Sequence, residues 1–178
     1  MEWQEIVESR YSVRSYDNSK PVESEKLERV LQAALLAPTA ANRQPFRVFV
    51  IPTADYKDAL QAVYPRDWFI EAPYVLAVCS VPGEAWVHRD GKSYSDVDAA
   101  IVMDHLVLAA TAEGLGTCWV AAFTIEAARS LLGIDRGMEP IAFTPLGYAA
   151  GKRTAERTRK SMEERIIRLG NQTKEAAK

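Results

Sequence analysis

The amino-acid sequence predicts a single α+β domain in which helices and strands are intermingled. Its 178 residues are 48% hydrophobic, which is enough to build one sizeable core. Segments with helical periodicity and short β-branched runs follow one another without regular β-α-β alternation, which favours an α+β layered fold over a doubly wound sheet. No internal repeat, low-complexity segment or linker interrupts the pattern. We therefore expect one domain over residues 1–170 and a disordered tail over 171–178.

The first half of the chain predicts three helices and two strands. Apolar side chains recur at three- and four-residue spacing over 2–9 and 23–37, which predicts two amphipathic helices. The β-branched run 47–52 is closed by a proline and predicts a strand. Helical periodicity returns over 54–63, and the continuous apolar run 74–81 predicts a strand that is buried on both faces.

The longest predicted helix, 96–113, is apolar on nearly every side. Such a helix belongs at the centre of a fold or in the core of a dimer. The sequence Ser95-Asp96-Val97-Asp98 predicts a capping box at its start, and Gly114 ends it. The segment 82–94 that precedes it is rich in glycine and charge, which predicts a loop.

The remainder of the chain predicts short strands and helices in alternation. The strands are expected at 117–120 and 139–148, and the helices at 125–132, between a Thr124 cap and Gly133, and from Ser161 onward.

The charge of the chain is nearly balanced overall but concentrated locally. The net charge of −2 and the sequence pI near 5.8 argue against nucleic acid as a partner, since a nucleic-acid binder shows a basic face. Arginine and lysine instead cluster around residues 10–14 and 152–160. This pattern fits a discrete anionic ligand, and the alternative is two solvated basic surface runs.

The sequence predicts a cytoplasmic protein without a membrane partner. Its N-terminus carries acidic residues and lacks the apolar core of a signal peptide. No apolar run approaches the ~20 residues that cross a bilayer. Cys79 and Cys118 lie in apolar contexts, where buried free thiols are expected in a reducing compartment.

Two sequence segments carry chemistry that suits a phosphorylated, planar ligand. Arg10-Tyr11-Ser12-Val13-Arg14 places two guanidinium groups and a hydroxyl within five residues, and guanidinium binds phosphate as a bidentate donor. The turn-rich segment 37–46 holds two amides, Asn42 and Gln44, that could read the edge of a ring. In isolation its prolines and Asn42 could equally be ordinary turn residues.

No hydrolytic or metal site emerges from the sequence. The only histidines, His88 and His105, lack metal-ligand spacing, and Ser12 has no base nearby in sequence. Residues 114–116 are not a dinucleotide fingerprint, since a third glycine is missing. We predict no catalytic side chain, an arrangement typical of enzymes whose cofactor carries the reactive atoms.

Five segments of the chain together resemble the signature blocks of the nitroreductase family, in the same order. They span residues 5 to 165, nearly the whole chain. The blocks are 10–14, 37–46, the helix and loop from Asp98 to Phe123, Pro145–Tyr148, and the basic tail Arg157–Lys160. The resemblance implies a central, mostly antiparallel sheet flanked by helices, and an intertwined homodimer that binds FMN between its subunits.

The resemblance also implies which residues bind FMN. The phosphate would be bound by Arg10, Tyr11, Ser12 and Arg14, with Arg159, Arg157 and Lys160 closing the site. Pro38, Thr39, Ala40, Asn42 and Gln44 would border the ring and ribityl chain, and Val120, Ala121 and Ala122 would meet the ring edge.

By the same resemblance the protein is an NAD(P)H-dependent oxidoreductase. Hydride would pass from NADH or NADPH through flavin N5 to a small organic acceptor, such as a nitroaromatic, quinone or enone, with ping-pong kinetics. Two alternatives stay open: a flavin-dependent dehydrogenase or oxidase of one specific metabolite, and a flavin-binding module without turnover.

Overall fold

The computed structural model describes residues 2–151 and 157–169, and the proposed 171–178 tail lies outside them. The described residues form six α-helices, four β-strands and three short 3-10 turns, the last at Ala40–Asn42, Asp67–Ile70 and Pro82–Glu84. In chain order the helices and strands are α1 Trp3–Ser9, α2 Ser24–Leu35, β1 Phe46–Pro52, α3 Thr53–Val63, β2 Tyr74–Ser80, α4 Ser95–Ala112, β3 Gly116–Thr117, α5 Ile125–Leu132, β4 Glu139–Gly147 and α6 Met162–Arg165.

The four strands form one antiparallel sheet in the order β1-β2-β4-β3. The register pairs Phe46 with Ser80 between β1 and β2, and Tyr74 with Leu146 between β2 and β4. The predicted α+β class and antiparallel sheet are therefore confirmed. The fold described here is that of one chain.

The sheet lies between two helical layers. In β2, Leu76 and Val78 pack into the core formed with α2 and α4, whereas Val75 and Ala77 pack into the core formed with α3 and α5. This alternation follows from the two-residue period of a strand. It confirms the prediction that this strand is buried on both faces.

Helices α2 and α4 run antiparallel across one face of the sheet. Near the start of α2, Lys26 donates to the carbonyl of Glu113, just beyond the end of α4, at 3.0 Å, and Arg29 in the middle of α2 forms an ion pair of 2.7 Å with the Glu113 carboxylate. Beyond the end of α2, the Ala40 N–H donates to the Asp98 carboxylate in the first turns of α4, at 2.9 Å. These contacts fix the opposite ends of the pair.

The predicted capping box at the start of α4 is wrong. Ser95 lies inside the helix, and its hydroxyl donates to Asp96 at 3.1 Å. Tyr94 occupies the cap position without a side-chain hydrogen bond. The Asp98 carboxylate accepts the Ala40 N–H from the loop beyond α2 through its Oδ1.

Other element boundaries are shifted by local backbone chemistry. The second helix ends at Leu35, short of the predicted residue 37, because the residue before Pro38 disfavours the helical conformation. The predicted strand 117–120 is only β3 followed by a single bridge between Val120 and Phe143. Thr124 stands at the start of α5, but its side chain makes no capping bond.

The short helix predicted from Ser161 onward is present, and it begins with a capping box. The Ser161 hydroxyl accepts the Glu164 N–H at 3.3 Å, and the Glu164 carboxylate accepts the Ser161 N–H at 2.9 Å. Gly114 ends α4 in the left-handed region, with φ of 75°. The Leu115 N–H then donates to the Ala110 carbonyl at 2.8 Å, which closes the helix end.

Both cysteines are buried and unbridged, as predicted. Burial raises the pKa of the Cys79 thiol to about 12. No helix in the described part of the chain is long and apolar enough to cross a membrane.

Gly116 allows β3 to approach the segment 10–14. A Cβ atom at this position would lie 2.8 Å from Val13 Cγ2, and Val13 is itself buried and stiff at χ1.

We expect Gly116→Ala to lower the free energy of unfolding by about 1–3 kcal/mol, because β3 and the segment 10–14 must separate or distort. Urea denaturation at one protein concentration measures this change. Gly83→Ala is the matched control, because nothing lies within 4 Å of its added Cβ; equal destabilisation by both would refute the close-approach argument.

Candidate cofactor site

The basic segment 10–14 is fixed against the edge of the sheet. The Val13 N–H donates to the Thr117 carbonyl at 2.9 Å, and Ser12 forms a parallel bridge with Thr117. Val13 is buried, whereas Ser12 and Arg14 on either side of it are exposed. The side chains of Arg10 and Arg14 make no hydrogen bond or ion pair with other described residues. The segment therefore presents positive charge and a hydroxyl from a rigid backbone.

Burial keeps two titratable groups beneath this segment, the Cys118 thiol and the Tyr16 phenol, in their neutral forms at ordinary pH. Burial raises the pKa of the Cys118 thiol, although Arg14 and a hydrogen bond from Ser12 oppose this. Burial also raises the pKa of Tyr16 well above its usual value. The Tyr16 hydroxyl donates to the Val13 carbonyl at 3.1 Å. The Glu71 carboxylate, which accepts the Tyr16 N–H at 2.8 Å, places a negative charge beside Tyr16.

The basic tail divides into one anchoring residue and two exposed ones. Arg157 donates to the carbonyls of Val7 at 2.9 Å and Glu8 at 2.8 Å, and also to the Arg10 carbonyl. These contacts fix the end of α1 and the main chain of Arg10. Arg159 and Lys160 are exposed, and Arg159 donates to the adjacent Thr158 carbonyl at 2.7 Å.

Residues 120–122 continue along the same sheet edge. Val120 is buried and exchanges two backbone hydrogen bonds with Phe143, at 2.8 and 2.9 Å. Ala121 and Ala122 are exposed, and no described residue accepts a hydrogen bond from either N–H. This stretch follows Thr117, the bridge partner of Ser12, by three to five residues. The Tyr11 hydroxyl donates to the Gly151 carbonyl at 3.3 Å.

The loop 38–44 has an unusual backbone. Ala41, Asn42 and Gln44 all adopt left-handed conformations with φ of 52°, which non-glycine residues rarely do. Thr39 holds the loop from within, since its Oγ1 accepts the Gln44 N–H at 3.0 Å. Strain of this kind is found where the surrounding structure holds a functional conformation. Pro38, Asn42 and Gln44 are exposed, whereas Thr39 and Ala40 are half-buried.

The structure places the two predicted groups of site residues at opposite ends of α4. The loop 38–44 contacts Asp98 near the helix start, whereas the segment 10–14 contacts Thr117 beyond the helix end. An α-helix of 18 residues spans about 27 Å at 1.5 Å per residue. Within one chain the segment 10–14 therefore pairs with Thr117, a few residues before 120–122, whereas the loop 38–44 contacts the other end of α4.

Sequence reasoning missed the residues that support this site from below. The sequence places Asp98 only in the cap and family block of the longest helix, and Tyr16 reads as part of a surface loop, whereas the structure buries it. Glu71 carries no signal in the sequence. The Glu71 carboxylate accepts the Tyr16 N–H at 2.8 Å, across 55 residues of chain. An acidic residue in an otherwise apolar helix was the available signal for Asp98. No local pattern links Tyr16 with Glu71.

Comparisons with known proteins agree on one family. The model of the nitroreductase family matches residues 7–66 and 56–148. A solved structure of a nitroreductase family protein from Clostridium difficile 630 is 34% identical and has a TM-score of 0.85, covering 94% of this chain and 98% of its own. An NADH dehydrogenase from Thermus thermophilus is 28% identical over 172 residues, which cover 79% of this chain and 83% of that protein.

A more distant structure shares the fold alone. The FMN-dependent nitroreductase from Clostridium difficile R20291 is 21% identical with a TM-score of 0.77, covering 93% of this chain and 98% of its own. The family model spans most of the chain, from the basic segment through the last strand of the sheet. This chain therefore belongs to the nitroreductase family.

Proposed function

We propose that this protein is an FMN-dependent oxidoreductase that uses NADH or NADPH to reduce a small organic acceptor. The observation that carries the proposal is the segment 10–14, which holds the half-buried Arg10 and the exposed Arg14 against Thr117. The exposed Ala121 and Ala122 follow Thr117 by a few residues, and their N–H groups have no acceptor among the described residues. Guanidinium groups suit a phosphate, and main-chain donors suit the polar edge of a flavin ring. Family membership supplies the independent support.

The described residues fit FMN in charge and in arrangement. Arg10, Ser12 and Arg14 would hold its phosphate together with the Tyr11 main chain, and the exposed Arg159 and Lys160 are available to close that end. Arg157 would contribute indirectly, because its hydrogen bonds to the carbonyls of α1 and Arg10 fix the main chain of Arg10. The ring and ribityl chain would meet Val120, Ala121 and Ala122, and also Pro38, Thr39, Ala40, Asn42 and Gln44.

The separation of these two groups supports a homodimer. An FMN held by the segment 10–14 would have to extend along α4, about 27 Å long, to meet the loop 38–44 of the same chain, which favours a second chain as the source of that loop. A second copy packed antiparallel along α4 would bring its loop 38–44 to the segment 10–14 of the first. The helix is apolar on nearly all sides, which suits burial between two subunits. We assign residues 1–170 to this single domain.

The protein's contribution is to bind and orient, since the reactive atoms belong to the cofactor. When bound, FMN supplies hydride transfer through N5, first from the nicotinamide and then to the acceptor, in a ping-pong sequence. The N–H groups of Ala121 and Ala122 would hold the ring edge, and the loop 38–44 would fix its position from the second subunit. Each hydride that reaches the acceptor is accompanied by one proton, which water would supply, so the scheme assigns proton transfer to no side chain.

The visible absorption spectrum of the purified protein tests the proposal. We expect a flavin spectrum that bleaches anaerobically when NADH or NADPH is added and returns when a quinone or nitroaromatic follows. A flavin spectrum that neither nucleotide bleaches would favour a dehydrogenase or oxidase of a specific metabolite, or a binding module. A colourless protein that takes up no added FMN would refute the proposal.

A further inference from the structure

Asp98 is a carboxylate placed where carboxylates are rarely found. Only 1% of its surface is exposed, and it lies in the first turn of α4, between the apolar residues Val97 and Ala99. Its Oδ1 accepts the Ala40 N–H at 2.9 Å, whereas its Oδ2 has no hydrogen-bond partner among the described residues. A buried carboxylate with one donor is costly, although the positive end of the helix dipole offsets part of that cost.

The contact that Asp98 makes reaches the most strained part of the backbone. Ala40 opens the 3-10 turn in which Ala41 and Asn42 are left-handed. The hydrogen bond between Asp98 on α4 and the Ala40 N–H therefore fixes the residue that directly precedes the left-handed Ala41. The other hydrogen bonds between residues of the loop, such as Gln44 N–H to Thr39 Oγ1 and Asn42 N–H to the Thr39 carbonyl, are internal to it and do not join it to the rest of the fold.

We infer that Asp98 is a positioning residue that anchors the loop 38–44 to α4 and so sets where this loop meets the flavin. This inference rests on the proposed function for its flavin part, and on the described contacts for its anchoring part. Helix α4 is also the helix proposed to lie between the subunits. The bond between Asp98 and Ala40 would therefore position the loop 38–44 of one subunit against the ring of the FMN whose phosphate is bound by the other subunit.

Hydrogen exchange on the purified chain tests the anchoring without reference to FMN. With Asp98→Ala we expect amides in a peptide covering residues 39–46 to exchange at least about tenfold faster, because the Ala40 N–H loses its acceptor. Asp98→Asn keeps an acceptor oxygen and should stay within about threefold of the unmodified chain. Asp96→Ala is the matched control, since it removes a carboxylate from the same helix end without a contact to the loop.

The flavin part is tested by the visible circular dichroism of bound FMN and by anaerobic reduction with NAD(P)H. Asp98→Ala at saturating FMN should retain the cofactor, because the phosphate group is held elsewhere. Its visible dichroism should change and its reduction rate should fall by about tenfold, the size expected when one charge-assisted hydrogen bond is lost. Asp98→Asn should restore both signals.

These outcomes separate the inference from the proposed function. Unchanged exchange at residues 39–46 in Asp98→Ala would overturn the anchoring. Faster exchange with unchanged dichroism and reduction would overturn the link to the flavin. If the unmodified chain binds no FMN, the proposed function fails and the flavin part of the inference with it, while the exchange data still decide the anchoring.

Discussion

Arg14→Ala is expected to weaken FMN binding by about 10- to 100-fold, since a hydrogen bond to a charged group contributes about 1.5–3 kcal/mol. The structure gives a reason to expect little compensation. The Arg14 side chain is exposed and has no ion-pair partner among the described residues, so its charge is available to a ligand. Fluorescence titration of the flavin-free protein with FMN measures the dissociation constant.

Riboflavin and a distant arginine provide the controls for Arg14. Riboflavin lacks the phosphate, so Arg14→Ala should leave its weaker binding nearly unchanged. Arg136→Ala removes the same charge from an exposed position between α5 and β4 and should leave FMN binding unchanged. An equal loss of riboflavin and FMN affinity in Arg14→Ala would place the phosphate elsewhere.

Mixed dimers are expected to recover an FMN site that neither parent variant has. One parent is Arg14→Ala, which damages the phosphate end. The other is Asn42→Val, which removes the amide and places a β-branched residue in the left-handed region, at a cost on the order of 1–2 kcal/mol. If each site takes its two ends from different chains, one site of the mixed dimer carries both changes and the other carries neither.

The measurement is the number of FMN molecules bound per dimer after co-expression with two affinity tags. We expect about one tightly bound FMN per mixed dimer, because only one of the two sites is intact. Dimers of two differently tagged Arg14→Ala chains control for the tags and should bind none tightly. Should the mixed dimers bind as poorly as both parents, each site would be built within a single chain and the dimer argument would fail.

Much of the local structure could be predicted from the sequence because it depends on local periodicity. The 3.6-residue period located α2 and α3, and the uninterrupted apolar run 74–81 identified the strand that is buried on both faces. The start of the last helix at Ser161 was predicted correctly because its signal lies within four consecutive residues. The capping box expected at Ser95 and Asp98 is wrong, because Ser95 lies inside the helix and Asp98 accepts a hydrogen bond from Ala40, 58 residues away.

The sequence by itself determined which residues could serve a phosphate and a ring, and the helices and strands that carry them. Only the tertiary structure decided that these groups lie at opposite ends of α4. It also decided that Val13 packs against the backbone of Gly116, and that Asp98 forms a hydrogen bond with Ala40 in the loop 38–44. The physical reason is that propensity and periodicity act over a few neighbouring residues. The antiparallel packing of α2 on α4 joins residues far apart in the chain, and it is fixed by burial of apolar surface and by bonds such as Arg29 with Glu113.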